Sequence, residues 1–135
     1  MAHTAQATRR FVVLRHDVPP GAARSSHWDF MLDIGAALRT WALASEPAVG
    51  VPISAQALAD HRLAYLDYQG AVSGDRGTVS QWDAGQYSVI EESPGLVVLN
   101  LAGKRLHGQV RMTRQEPSAD HWTFCFSSGR AATSV

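Results

Sequence analysis

Spacing is the strongest constraint in this chain. Apolar runs of about six residues recur from Phe11 to Phe126, each closed by turn residues, and no window sustains helical periodicity. Phe11-Val12-Val13-Leu14-Arg15-His16 is β-branched and stops at Pro19-Pro20-Gly21. His27 to Asp33 alternates strictly: Trp28, Phe30 and Leu32 point one way, His27, Asp29, Met31 and Asp33 the other. Leu38 to Leu43 resumes the pattern after Gly35, which predicts a hairpin. Glu46 to Pro52 reads as loop. Ser54 to Asp60 is open, since Ser54 can cap a helical turn while its neighbours favour an extended chain. Leu63 to Tyr68 is a further run, followed by Thr78–Trp82, Gln86–Ile90, Leu96–Leu101, Leu106–Thr113 and His121–Phe126. Asp83-Ala84-Gly85 and Ala102-Gly103-Lys104 read as tight turns. The set predicts an all-β fold, a single compact antiparallel β-barrel with at most short helical turns. Closure is favoured because it removes exposed strand edges.

With 135 residues, one domain is expected, spanning 11–126 between flexible tails at 1–10 and 127–135. The 12 Lys+Arg balance the 12 Asp+Glu, which excludes a globally basic nucleic-acid binder but permits a local basic groove. The single Cys125 excludes a disulfide framework and reads as a buried strand residue. Met1 to Arg10 lacks the apolar segment of a signal peptide, and no run approaches the roughly 20 apolar residues of a membrane helix. The expected location is the cytoplasm, without membrane contact.

Two places carry chemistry. His27 and Asp29, two apart on a strand, share a face with Cα atoms roughly 6.5–7 Å apart. An imidazole and a carboxylate so placed can converge on one cation, and His16 from the preceding strand is the natural third ligand. Such a set suits manganese, zinc or iron better than calcium. The alternative is a solvated strand face. The second place is His61, Arg62 and Tyr65, which can bind phosphate oxygens; on a strand, His61, Leu63 and Tyr65 would share a face. The alternative there is a surface histidine beside a core tyrosine. Ser73-Gly74-Asp75-Arg76-Gly77-Thr78 is not a Walker loop and reads as a hairpin turn from which Arg76 can reach a neighbouring site. Trp28, Trp41, Trp82 and Trp122 read as core aromatics, His107 and His121 as structural.

The order of these pieces resembles a known family. Phe11-Val12-Val13-x-x-His16-Asp17, His27-x-Asp29-Phe30-x-Leu32, Leu38-x-x-Trp41-Ala42 and Asp60-His61-x-Leu63-x-Tyr65-x-Asp67-Tyr68-x-Gly70 are similar to the 3′-phosphoesterase module of bacterial DNA ligase D. Gly77-Thr78-Val79-x-x-Trp82-Asp83-x-Gly85-x-Tyr87, Leu101-x-Gly103-x-x-Leu106-x-Gly108 and Trp122 continue it, so the resemblance runs from Phe11 to about Phe126. It implies a β-barrel with one divalent metal ion, manganese foremost and zinc second. It also implies removal of a 3′-terminal ribonucleotide to leave a 3′-phosphate, then of that phosphate. The family's metal ligands fall on His16, His27 and Asp29, its phosphate-contacting histidine on His61 and its tyrosine on Tyr65. His61 and Tyr65 are then the expected catalytic residues, with Arg62 and Arg76 as further phosphate contacts.

Three departures stand out. Met31 replaces the family's arginine in a D-F-R-L-E run, the loop between the two histidines is longer, and the family's acidic N-terminal extension has no match before Phe11. Arg15, Arg39, Arg62 and Arg76 are the candidate replacements for the lost cation. Expected partners are nucleic-acid 3′ ends of the primer-template kind, with separate ligase or polymerase proteins, since no such segment occurs here. A monomer is expected. The alternative to the enzyme is a weak or inactive metal-containing module that binds nucleic-acid ends or a phosphorylated ligand, and a third reading is a barrel used purely for protein contact.

Overall fold

Alternating runs joined by short turns pair with their neighbours in sequence, and every strand ladder in this protein is antiparallel. The computed structural model describes residues 8–128. Its strands are β1 (Arg9–Asp17), β2 (His27–Asp33), β3 (Leu38–Leu43), β4 (Ile53–His61), β5 (Gly70–Ala71), β6 (Thr78–Ser93), β7 (Leu96–Gly103), β8 (His107–Arg114) and β9 (His121–Ser128). One 3-10 turn, Leu63–Leu66, interrupts them. The nine-stranded sheet runs β1-β2-β3-β4-β9-β8-β7-β6-β5, and β1 also pairs with β6. The sheet therefore closes into a ring, with the two-residue β5 as a branch on β6. Strands begin at Arg9 and end at Ser128, past the expected domain edges, and the rest of the expected tails lies outside the described residues.

Two apolar clusters flank the sheet. Phe11, Val13, Phe30, Leu32, Trp41 and Phe124 belong to the larger, which draws on every strand of the ring and fills its interior. Trp41 and Trp122 are buried in it, with Trp28 and Trp82 packed against it. The smaller cluster includes Val12, Leu14, Met31, Leu38, Leu66 and Val79, the opposite face of β1–β3. Leu66 of the 3-10 turn and Val72 after β5 cover that face. The second face of β2 is therefore not solvated: His27 is 6% and Asp29 3% exposed.

Two expectations about local structure are corrected. Leu63 to Leu66 forms a 3-10 turn rather than a strand, so His61 ends β4 while Tyr65 projects from the turn beyond it. Only Leu66 of that turn is buried, and a strand would have asked for alternating burial. Asp83-Ala84-Gly85 is not a turn either, because β6 runs through it for 16 residues. Its ladder with β1 slips at Trp82, where Val13 faces Asp83 and Leu14 faces Gln81. One extra residue reverses which face later side chains occupy. Val79 and Tyr87, both odd-numbered, accordingly lie in opposite clusters. Asp83 is buried and accepts backbone N–H bonds from Lys104, Arg105 and Leu106 at 2.7–3.1 Å, holding the β7–β8 turn. Among the described residues, no helix is long and apolar enough to cross a membrane.

Candidate metal centre

The covered face of β1 and β2 is where the chemistry gathers. His16 and His27 are directly paired across the two strands, and Asp29 follows two residues along β2 on the same face. Their potential ligand atoms all lie within 4.8 Å of one another. His16 Nδ1 is 3.5 Å from one Asp29 carboxylate oxygen, and His27 Nε2 is 3.1 Å from the other.

Backbone carbonyls set the imidazole tautomers. His27 Nδ1–H donates to the Ser25 carbonyl at 3.0 Å, and His16 Nε2–H donates to the Arg76 carbonyl at 2.7 Å. Each neutral ring then turns a lone pair toward Asp29. His27 Nε2 and Asp29 Oδ1 are buried and have no partner beyond each other. His16 Nδ1 and His27 Nε2 thus both face the Asp29 carboxylate, an arrangement that a shared proton or a bound cation stabilises. Two imidazoles and one carboxylate are a donor set suited to a borderline divalent ion, with coordination positions left open for a further ligand. The residues present thus fit a divalent metal.

The electrostatics agree. Burial pushes the Asp29 carboxyl up, but hydrogen bonds and charge from His16 and His27 outweigh it and hold the group at about 2. The Asp29 hydrogen bond raises His16 above its ordinary 6.5, against burial. The Arg76 carbonyl adds to this rise and the Arg24 charge opposes it.

Gly77 brings the Arg76 carbonyl into place. Its φ of +93° is in the left-handed region, and a Cβ there would lie 1.9 Å from the Asp17 carbonyl oxygen. Only glycine lets the β5–β6 loop lie this close to β1.

The trio lines one end of a cleft of about 500 Å³. The structure brings His61, Tyr65 and Arg76 to the same cleft, whose apolar wall includes Met31, Leu58 and Val79. His61 Nδ1–H donates to the Ala59 carbonyl at 2.8 Å, so Nε2 is its free nitrogen. The Tyr65 ring meets the His61 ring edge-on, centroids 6.0 Å apart. Arg62 does not line this cleft; it borders a shallower hollow with Tyr65 and Tyr68. Arg15 is paired with Asp17 and Arg39 with Glu92.

Comparison with known proteins decides the family. The model of the DNA ligase D 3′-phosphoesterase domain matches residues 20–114. The chain belongs to that family. A multifunctional non-homologous end joining DNA repair protein, LigD, of Mycobacterium tuberculosis (strain H37Rv) is 31% identical over 121 residues, 83% of this chain and 15% of that protein. The multifunctional non-homologous end joining protein LigD of Pseudomonas aeruginosa is 27% identical over 115 residues, 78% of this chain and 13% of that protein. The chain thus spans about a seventh of the length of these family relatives. The family match spans residues 20–114 and so covers His27, Asp29, His61 and Tyr65, and His16, just before it, joins the trio through its pairing with His27.

One cleft residue escaped sequence reasoning. Arg24, in the β1–β2 loop, lines the cleft beside the trio. It sits in a polar loop with no periodicity, where nothing in the sequence indicates direction.

Proposed function

We propose that this chain is a divalent-metal-dependent phosphoesterase that processes 3′ ends of nucleic acid during end joining, removing a 3′-ribonucleotide or a 3′-phosphate. The observation that carries the reading is the convergence of two imidazoles and a carboxylate, with His27 and Asp29 buried, in a cleft that also holds a histidine, a tyrosine and arginines. Family membership supports the substrate class. A bound divalent ion, manganese first and zinc second, supplies polarisation of a phosphoryl oxygen and neutralises charge that develops on it.

The chain's own residues do the rest. His16 and His27 hold the ion through the nitrogens that their backbone partners leave free, and Asp29 contributes the anionic donor. His61 presents Nε2 to the substrate; when protonated, it donates to a phosphoryl oxygen or passes the proton to the leaving oxygen. Tyr65 orients the phosphate through its hydroxyl. The apolar wall of Met31, Leu58 and Val79 limits water, which strengthens each electrostatic contact.

Met31 favours a second reading. At 1% exposure on the cleft wall it offers no donor to a phosphate, as a module that grips an end without turning it over would permit. Product analysis separates the two. A primer with a single 3′-ribonucleotide and one with a 3′-phosphate are incubated with manganese and with chelator. Shortened or dephosphorylated product in manganese alone is expected. Binding without product selects the second reading.

A further inference from the structure

A phosphate held by one metal ion still presents oxygens that need donors. Met31 has none to give, and Arg76 is partly spent: its Nε and one terminal nitrogen donate to the Ser73 carbonyl and hydroxyl at 2.7 and 3.1 Å. Asp75, its sequence neighbour, also lines the cleft. Arg24 differs. Ion pairs among the described residues employ Arg9, Arg10, Arg15, Arg39 and Arg114, and none employs Arg24. No described residue forms a hydrogen bond with its guanidinium, so among the described residues none of its five N–H donors is engaged.

The loop that carries Arg24 is held at its base. The Val18 N–H donates to the Ser26 hydroxyl at 3.1 Å, and the Ala22 N–H to the Pro19 carbonyl at 3.1 Å. Ser25, next in sequence, supplies the carbonyl that fixes His27. Arg24 is therefore tethered one residue from a contact that orients a metal ligand. It also borders a smaller hollow with Ser54 and Gln56, so it stands where the two cavities meet.

We infer that Arg24 is the residue that recognises the terminal phosphate, a positioning and specificity residue that makes the site prefer phosphate-bearing 3′ ends over 3′-hydroxyl ends. The inference rests on the phosphoesterase reading above and adds the source of its selectivity. A guanidinium can engage two phosphate oxygens at once, whereas an ammonium engages as a point charge.

The test compares binding of a 3′-phosphate primer with the same primer ending in a 3′-hydroxyl, by stopped-flow fluorescence anisotropy in manganese read before turnover, for the whole chain, Arg24→Gln and Arg24→Lys. Wild type is expected to prefer the phosphate end. Arg24→Gln should lose about 10- to 150-fold on that end and little on the hydroxyl end. Arg24→Lys should recover part of the loss. Arg24 is exposed and pairs with no described residue, so melting temperatures should match. Equal loss on both ends, or no loss, overturns the assignment while turnover by wild type leaves the phosphoesterase reading standing. If wild type neither prefers the phosphate end nor turns it over, both fall.

Discussion

His16 and His27 face each other across directly paired positions of β1 and β2, ring centroids 4.7 Å apart, yet each gives its N–H to a backbone carbonyl rather than to the other. Both free lone pairs turn to Asp29. A sheet with no ligand to hold has little reason to bury such a set.

Metal binding should follow. Manganese or zinc should raise the melting temperature of wild type in a concentration-dependent way. His27→Ala should weaken calorimetric affinity by at least about 10-fold, since it removes a direct ligand where even outer contacts are worth that much. Unchanged affinity would remove His27 from the site.

The effect of pH should reverse between the metal-free and loaded proteins. In the metal-free protein, Asp29 contributes stability above its unfolded value of 3.8, lost as pH falls through about 2. His16 contributes below its unfolded value of 6.5, lost as pH rises through its raised folded value. Metal needs His16 neutral, so the metal-induced rise in melting temperature should be small at pH 5.5 and grow above 6.5. Thermal melts across that range, with manganese and with chelator, check the sign; a rise that shrinks with pH would refute it.

The substrate-facing residues separate in kinetics. His61→Ala should lower the turnover rate by about 100-fold or more, as loss of a general acid does. Met31→Arg should raise it by about 10- to 150-fold by restoring a charge-assisted contact. It should also lower the melting temperature, because Met31 packs in the smaller apolar cluster. Single-turnover assays on the 3′-phosphate primer read both.

Asp83 is structural. Asp83→Ala leaves three backbone N–H groups of the β7–β8 turn without their carboxylate. It should cost about 3 kcal/mol or more. Chemical denaturation would show it as a lower midpoint at unchanged slope.

The sequence exposed the parts that local rules govern. Strand alternation was enough to put His27 and Asp29 on one face, and the Pro19–Ser26 loop, which lets β2 return beside β1, made His16 their natural companion. Burial of that face was not legible, because Leu66 and Val72 cover it from a segment some forty residues further along the chain. Leu63 to Leu66 has strand-like composition, and only its tertiary position decides for a 3-10 turn. Asp83-Ala84-Gly85 has turn composition, yet bulges draw on the same residue types. Arg24 lay in a loop where no periodicity fixes a side chain's direction.

β1 is hydrogen-bonded on both sides, by β2 and by β6. His16 cannot leave its place without breaking two ladders at once, so its half of the site opens only when the ring itself unfolds. The loop that carries Arg24 is closed at its base by the Val18–Ser26 and Ala22–Pro19 hydrogen bonds and can open locally. The two halves of the cleft therefore run on different clocks: amide exchange should be slow along β1 and fast across the β1–β2 loop. On the phosphoesterase reading, the rigid half would hold the ion while the loop half adjusts to the incoming end.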